Sequence, residues 1–311
     1  MSSNQVEIQS SKTTSAKLRK NLRKRLENLP FLYKILQSIY KIYYLFTGFL
    51  HTTPDFYIIG AAKCGTTALY DYLIQHPSIH TALTKEPRYF DKYYDRGINW
   101  YKVLFPFKFS KFLTKKILKK EFVTGEATPR YLDHPHVPKR IKEITPNAKF
   151  IILLRNPVNR IYSHYNMRIN SGKETLSLQD AIKTENQRTE GEYKRMLEDE
   201  NYYSFDYYHH SYLDLSIYVN KIKRWMDVFS KDQFLIIPSE RFFSNPDHVF
   251  QEVLQFLNVS NFHLEEYSKV DAGKYKKSKM DSSVRKQLIE YFKPYNEELY
   301  KFLGINYDWD K

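Results

Sequence analysis

The chain has 311 residues, 42% hydrophobic, 16% aromatic and 27% charged, with 9 glycines and 13 prolines, which excludes a disordered or collagen-like chain and suffices for a sizeable core. The lone cysteine, Cys64, excludes an intramolecular disulfide. With 49 Lys/Arg against 35 Asp/Glu the net charge is +14, which favours anionic partners (phosphates, sulfates, acidic glycans, nucleic acid or anionic lipid) without ranking them.

Half of that charge lies in residues 1–50, where nine Lys/Arg face only Glu7 and Glu27. The most apolar stretch, 42–50, is too short for the about 20 residues a spanning helix needs. It also stands too far from Met1, and without the small residues after it, to be a secretory signal. Residues 1–51 read as a basic leader with an amphipathic helix packed on one domain over 52–311. Peripheral membrane contact through 12–50 is the alternative. A cytoplasmic location is expected, with or without that contact.

From residue 55 the pattern changes. Residues 55–60 form an apolar run ending in Gly60, and 66–75 place apolar side chains at 68, 69, 72 and 73, a helical spacing. Further strand-like runs fall at 122–124, 149–154 and 233–237. Helical patterns fall at 137–144, 158–169, 178–189, 212–229, 246–257 and 282–302, the last interrupted by Pro294. Short strands alternating with helices predict an α/β domain with a parallel sheet covered on both faces.

The turn after the first strand reads Gly60-Ala61-Ala62-Lys63-Cys64-Gly65-Thr66-Thr67. Two glycines separated by four residues, running straight into a helix N-terminus, make an anion cradle of backbone N–H groups, with the Thr66 and Thr67 hydroxyls as extra donors. A standard phosphate loop places lysine after the second glycine; here it comes two residues earlier, at 63. The strand at 149–154 ends in Arg155, where a magnesium-dependent nucleotidase would place an acid. The site is therefore read as one for a phosphorylated ligand without metal. Cys64 is read as a small tolerated side chain whose pKa the helix N-terminus and Lys63 would lower. A second lysine group (108, 111, 115, 116, 119, 120) is a solvated face or a route for an anionic acceptor. Arg160, His164 and Arg168 share one helix face, with His164 a packed residue rather than a catalyst.

PDFYIIGAAKCGTTALYDYL, KEPRYFD (85–91), GEATPRY (125–131), KFIILLRNPVNRIYSHY and VDAGKYKKSKMDSSVRKQLIEYFKPYNEELYKFLG (270–304) follow one another in the order seen in one family. Over residues 54–307 the chain resembles the sulfotransferases that use 3′-phosphoadenosine 5′-phosphosulfate (PAPS), in their heparan-sulfate-type and bacterial carbohydrate branch. The resemblance implies a P-loop-type three-layer fold, with a central parallel sheet flanked by helices. It implies PAPS as cosubstrate, no metal, and a carbohydrate acceptor, neutral or anionic; no specific nucleic-acid partner is implied. Lys63 would neutralise charge growing on the leaving phosphate, and the 63–67 loop, including Cys64, Gly65, Thr66 and Thr67, would hold the 5′ group. Arg155 and Ser163 would hold the 3′-phosphate, and Lys274, Tyr275, Lys276 and Lys277 would close over the cosubstrate. Glu86 would be the general base and Lys85 would assist at the sulfo group or the acceptor.

Two departures stand out. Ala127 replaces the lysine of heparan-acting members, pointing away from heparan itself, and Cys64 alone cannot form the disulfide those members carry. The rival readings are a P-loop kinase, and a non-catalytic binder of anionic glycan, nucleic acid or membrane.

Overall fold

The computed structural model describes residues 30–267 and 280–309. Five strands, β1 (Phe56–Gly60), β2 (Ile79–Thr81), β3 (Val123–Ala127), β4 (Lys149–Leu154) and β5 (Phe234–Pro238), form one sheet in the order β2-β3-β1-β4-β5. Every pairing is parallel; Ile58 lies opposite Ala127 on one side and Ile151 on the other. All of β1 and the last five residues of β4 are buried, as continuous apolar runs require when helices cover both faces. On one face Tyr57 stacks on Phe150 at 5.9 Å, and Phe150 meets Trp225 at 5.2 Å.

The longer helices are α1 (Pro30–Thr47), α2 (Thr66–Leu73), α3 (Val137–Ile144), α4 (Pro157–Asn170), α5 (Val219–Met226), α6 (Pro246–Leu257) and α7 (Ser282–Leu303). The chain leaves β1 toward β2 on one side of the sheet and leaves β4 toward β5 on the other. The switch point therefore falls between the C-terminal ends of β1 and β4, where open α/β sheets bind ligands. The expected α/β three-layer class with a parallel central sheet holds.

Four element readings change. β2 is new: only Ile79 in its three residues is buried, so it left no apolar run. The strand expected at 122–124 extends to Ala127, because Thr124, Gly125 and Glu126 are buried although polar or small. The helix expected at 212–229 becomes a single 3₁₀ turn, Asp214–Ser216, followed by α5. The buried Glu185 carboxylate accepts the N–H groups of Tyr212, Leu213 and Asp214 at 2.8–3.0 Å, taking the donors a helix would use. Finally, α7 runs through Pro294 unbroken; Pro294 and Glu290, whose carbonyl loses its donor, both face solvent.

Glu126 is enclosed by hydroxyls, accepting from Tyr101, from Thr128 at 2.7 Å and from Tyr131 at 3.2 Å. Burial pushes its carboxyl up to about 7 despite those bonds. Because the folded-state value lies above the unfolded one of about 4.3, its stabilising share is complete below the latter and is lost as pH rises through the former, on the order of 3 kcal/mol. Denaturant melts of Glu126→Gln should show a flatter stability profile between about pH 5 and 7 than the unsubstituted chain; identical slopes would sink this assignment.

Candidate active site

The turn between β1 and α2 is built so that its amide side is left for a ligand. The carbonyls of Ala62, Lys63 and Cys64 accept from Arg160 Nε at 3.2 Å, Arg155 Nη1 at 3.4 Å and Ser239 Oγ at 2.6 Å. These bonds occupy the three carbonyl oxygens, while the first N–H groups of α2 have no partner inside their helix. The macrodipole adds positive potential at the same point. Gly65 sits at φ +94°, and a Cβ there would come within 2.9 Å of the Phe243 ring, so glycine is required for both conformation and space.

The second wall comes from β4 and α4. Asn156 caps α4 by accepting from the Val158 and Asn159 amides at 3.0 and 3.3 Å, and Pro157 supplies the preset first turn. That cap fixes the strand-to-helix turn at Arg155, whose own carbonyl accepts from Tyr218 at 2.9 Å. Arg155 and Ser163 thereby face the same cleft as the loop.

This cleft, about 810 Å³, brings together Lys63, Gly65, Thr66, Thr67, Lys85, Glu86, Arg155 and Ser163. Phe242, Phe243 and Tyr267 give it an aromatic wall. Of the six non-glycine residues at positive φ among the described residues, Lys63 (73°), Glu86 (51°) and Arg88 (56°) all line it; such a concentration of sparsely populated backbone is a mark of functional sites.

Three cations complete the lining, Arg88 and Arg130, which the sequence did not single out, and Arg168, with Tyr203 and His209. The Arg88 guanidinium is bound to the buried Asp91 at 2.5 and 3.0 Å and lies 4.9 Å over the Tyr203 ring. Arg130 lies 5.1 Å over Tyr208, donates to the Tyr208 carbonyl at 2.7 Å, and keeps a buried Nη1 without a hydrogen-bond partner. Arg168 donates to His164 at 3.1 Å; burial, then the neighbouring Arg130 charge, push it down to about 10. Burial and Arg168 push His209 down to about 3, so it is neutral at ordinary pH. Arg88 and Arg130 lie within the quoted KEPRYFD and GEATPRY segments, but nothing in their spacing shows that they converge.

The readings of Cys64 need correction. The Cys64 side chain is fully buried and turned from the cleft toward the Tyr218 hydroxyl, 3.9 Å away, so only its backbone belongs to the loop. Burial pushes the thiol up to about 11, overriding the nearby positive groups that were expected to lower it. None of the lysines at 108–120 lines the cleft; all but Lys111, which is paired with Asp55 at 2.6 Å, are exposed, as the solvated-face reading expects. Arg160 and His164 are buried, as expected of a packed His164, and Arg168 is the member of that face that lines the cleft. Lys274, Tyr275, Lys276 and Lys277 lie outside the described residues.

A family model described as a sulfotransferase domain matches residues 53–298. The membrane-associated sulfotransferase kil1 of Dictyostelium discoideum is 27% identical over 327 residues, covering 84% of this chain and 68% of that protein. Human heparan sulfate glucosamine 3-O-sulfotransferase 3B1 is 27% identical over 279 residues, covering 83% of this chain and 65% of the human protein, so the match spans just under two thirds of that relative. Among solved structures, a sulfotransferase from Alicyclobacillus acidocaldarius superposes with a TM-score of 0.63 at 29% identity, covering 84% of this chain and all of that one.

Proposed function

The chain belongs to the sulfotransferase family, and we propose that it transfers a sulfuryl group from PAPS to a hydroxyl of a carbohydrate acceptor, in line and without metal. In that reaction the bond from sulfur to the bridging oxygen of the 5′-phosphate breaks, a bond from the acceptor oxygen to sulfur forms, and the acceptor proton passes to Glu86. The single observation that best supports this is the meeting of the Lys63 loop, Arg155 and Glu86 in one cleft at the switch point between β1 and β4. Two cationic strand ends on neighbouring parallel strands suit a nucleotide bearing two separate anionic groups. The loop amides and Thr66 and Thr67 would take the 5′ group, and Arg155 and Ser163 the 3′-phosphate. Lys274, Tyr275, Lys276 and Lys277 would add contacts from the following segment, and Lys85 would steady the sulfo group or the acceptor.

The carbohydrate class follows the human relative, whose name gives heparan sulfate glucosamine as what it acts on. Arg88, Arg130 and Arg168 at the cleft argue for an acceptor bearing an anionic group. The heparan-type lysine is replaced by Ala127, which is buried, and Arg130 supplies a cation from the same segment. Peripheral membrane contact through residues 12–50 belongs to the proposal too, and the membrane-associated relative supports it. Among the described residues no helix is long and apolar enough to cross a membrane.

The deciding experiment is thermal unfolding with adenosine 3′,5′-bisphosphate, with and without EDTA, beside ATP plus Mg²⁺. A ligand that binds only the native state stabilises it, by about 2.7 kcal/mol at a hundred times its Kd. A rise in Tm with the bisphosphate, unchanged by EDTA and larger than with Mg-ATP, is expected. A rise with Mg-ATP alone would replace this reading with a kinase.

A further inference from the structure

Away from the cleft, the segment after Pro106 exposes an unusual mixture. Helix Lys108–Phe112 continues into a π-helical stretch, Leu113–Ile117. Phe109 is 70% exposed, Ile117 61%, Leu118 55% and Phe112 54%. Between these apolar side chains stand exposed Lys108, Lys115, Lys116, Lys119 and Lys120. Lys111 differs: its ammonium is bound to both Asp55 oxygens at 2.6 and 2.7 Å, and so fastens the segment to the start of β1.

This segment meets a second one of the same character. His51, just past α1, bridges to Phe107 with its ring 4.0 Å from the phenyl ring, and the Thr52 amide donates to the Pro106 carbonyl at 2.9 Å. One side of α1 packs on Ile98–Lys102. Much of the remainder is open, with Phe31 79%, Phe46 70%, Phe49 58% and Ile39 57% exposed. Residues 30–52 and 106–120 contain no Asp or Glu at all.

We infer that these two joined segments form one docking face for an anionic bilayer surface, with residues 106–120 as a contact element distinct from the basic leader. The inference rests on the peripheral-membrane reading of residues 12–50 and extends it to a region that reading did not include. Large exposed apolar surface marks an interaction site. The choice of occupant comes from charge: aromatic and aliphatic side chains interleaved with lysines and free of acids match an interfacial element that lies in the headgroup plane. A spanning role is excluded for α1 by its composition. Lys111 fastens its segment beside the N-terminal end of β1, whereas the cleft opens at the C-terminal ends of β1 and β4. A lipid surface held at Lys111 would therefore lie at the strand ends away from the cleft.

The test is co-sedimentation of the full chain with vesicles of phosphatidylcholine alone, or with about a third phosphatidylglycerol, at low and high salt. Two variants are compared, Lys115→Glu/Lys116→Glu/Lys119→Glu/Lys120→Glu and Phe109→Ser/Phe112→Ser, with circular-dichroism melts as the folding control. The unsubstituted chain should bind the anionic vesicles and largely lose binding on the neutral ones. Both variants should melt normally and lose at least tenfold in apparent vesicle affinity. If the chain binds but both folded variants bind equally well, the 106–120 face is not the contact and the leader reading alone survives. If the unsubstituted chain binds neither vesicle, both readings fall. A concentration-dependent dimer that Phe109→Ser/Phe112→Ser abolishes, without vesicle binding, would reassign the face to self-association and overturn the inference.

Discussion

Glu86→Gln is expected to lower turnover by about 10²–10⁴-fold, the range for losing a positioned general base, while leaving the stabilisation by adenosine 3′,5′-bisphosphate intact. The amide keeps the size and much of the hydrogen-bonding capacity of the carboxylate but cannot accept the acceptor proton. Glu86 is exposed and lines the cleft, and its surroundings constrain its backbone. Two residues on, Arg88 is clamped to buried Asp91 at 2.5 Å and covered by Tyr203, and both Glu86 and Arg88 hold left-handed backbone. That frame presents the carboxylate to the cleft without a covering partner of its own chain's core. Unchanged kcat would remove Glu86 as base, and a raised KM for the acceptor alone would make it a binding residue.

What could be read in the sequence was what local pattern encodes. The apolar runs at 55–60 and 149–154 are strands buried on both faces, so their composition shows them directly, and the glycine spacing at 60 and 65 belongs to a single turn. What could not be read depended on convergence through space. Arg130 follows β3 and Arg168 lies near the end of α4, far apart in the chain, and only the sheet order brings both to the cleft. β2 stayed hidden because a three-residue strand has too short a pattern. The strand character of 125–127 was masked by Glu126, whose burial depends on hydroxyls from Tyr101 and Tyr131 elsewhere in the chain. Cys64 failed for the opposite reason. Its local cues were a lysine and a helix N-terminus, but the charges that lower the thiol are Arg160 and Arg155, and desolvation outweighs them once the side chain packs inward. The phenylalanines at 109 and 112 carry no local mark, and only the fold shows that nothing among the described residues covers most of their surface.

Lys63→Ala should separate charge stabilisation from simple binding. Lys63 stands where the loop is most constrained, at φ 73°, with its carbonyl held by Arg155 at 3.4 Å, so the backbone is tied to the end of β4 whatever side chain it bears. The substitution should therefore leave the cradle in place and remove one cation from the cleft. If that cation acts on charge that develops on the bridging oxygen as the sulfuryl group departs, kcat should fall by about 10²–10³-fold, the loss seen for one preorganised stabilising group. KM for PAPS should change far less, since ground-state affinity is shared with the loop amides and Arg155. Arg155→Ala should show the reverse pattern. Losing a charge-assisted contact worth about 1.5–3 kcal/mol weakens nucleotide binding by roughly 10–100-fold, a larger effect than on kcat at saturation, although the Lys63 carbonyl also loses its Arg155 partner. Lys63→Arg should recover part of the lost turnover, because the charge is restored on a side chain of different reach and shape. The crossed pattern is the decisive feature. Should Lys63→Ala raise KM while sparing kcat, the lysine would be a nucleotide-binding group only, and the charge on the leaving phosphate would have to be met by other cations of the cleft.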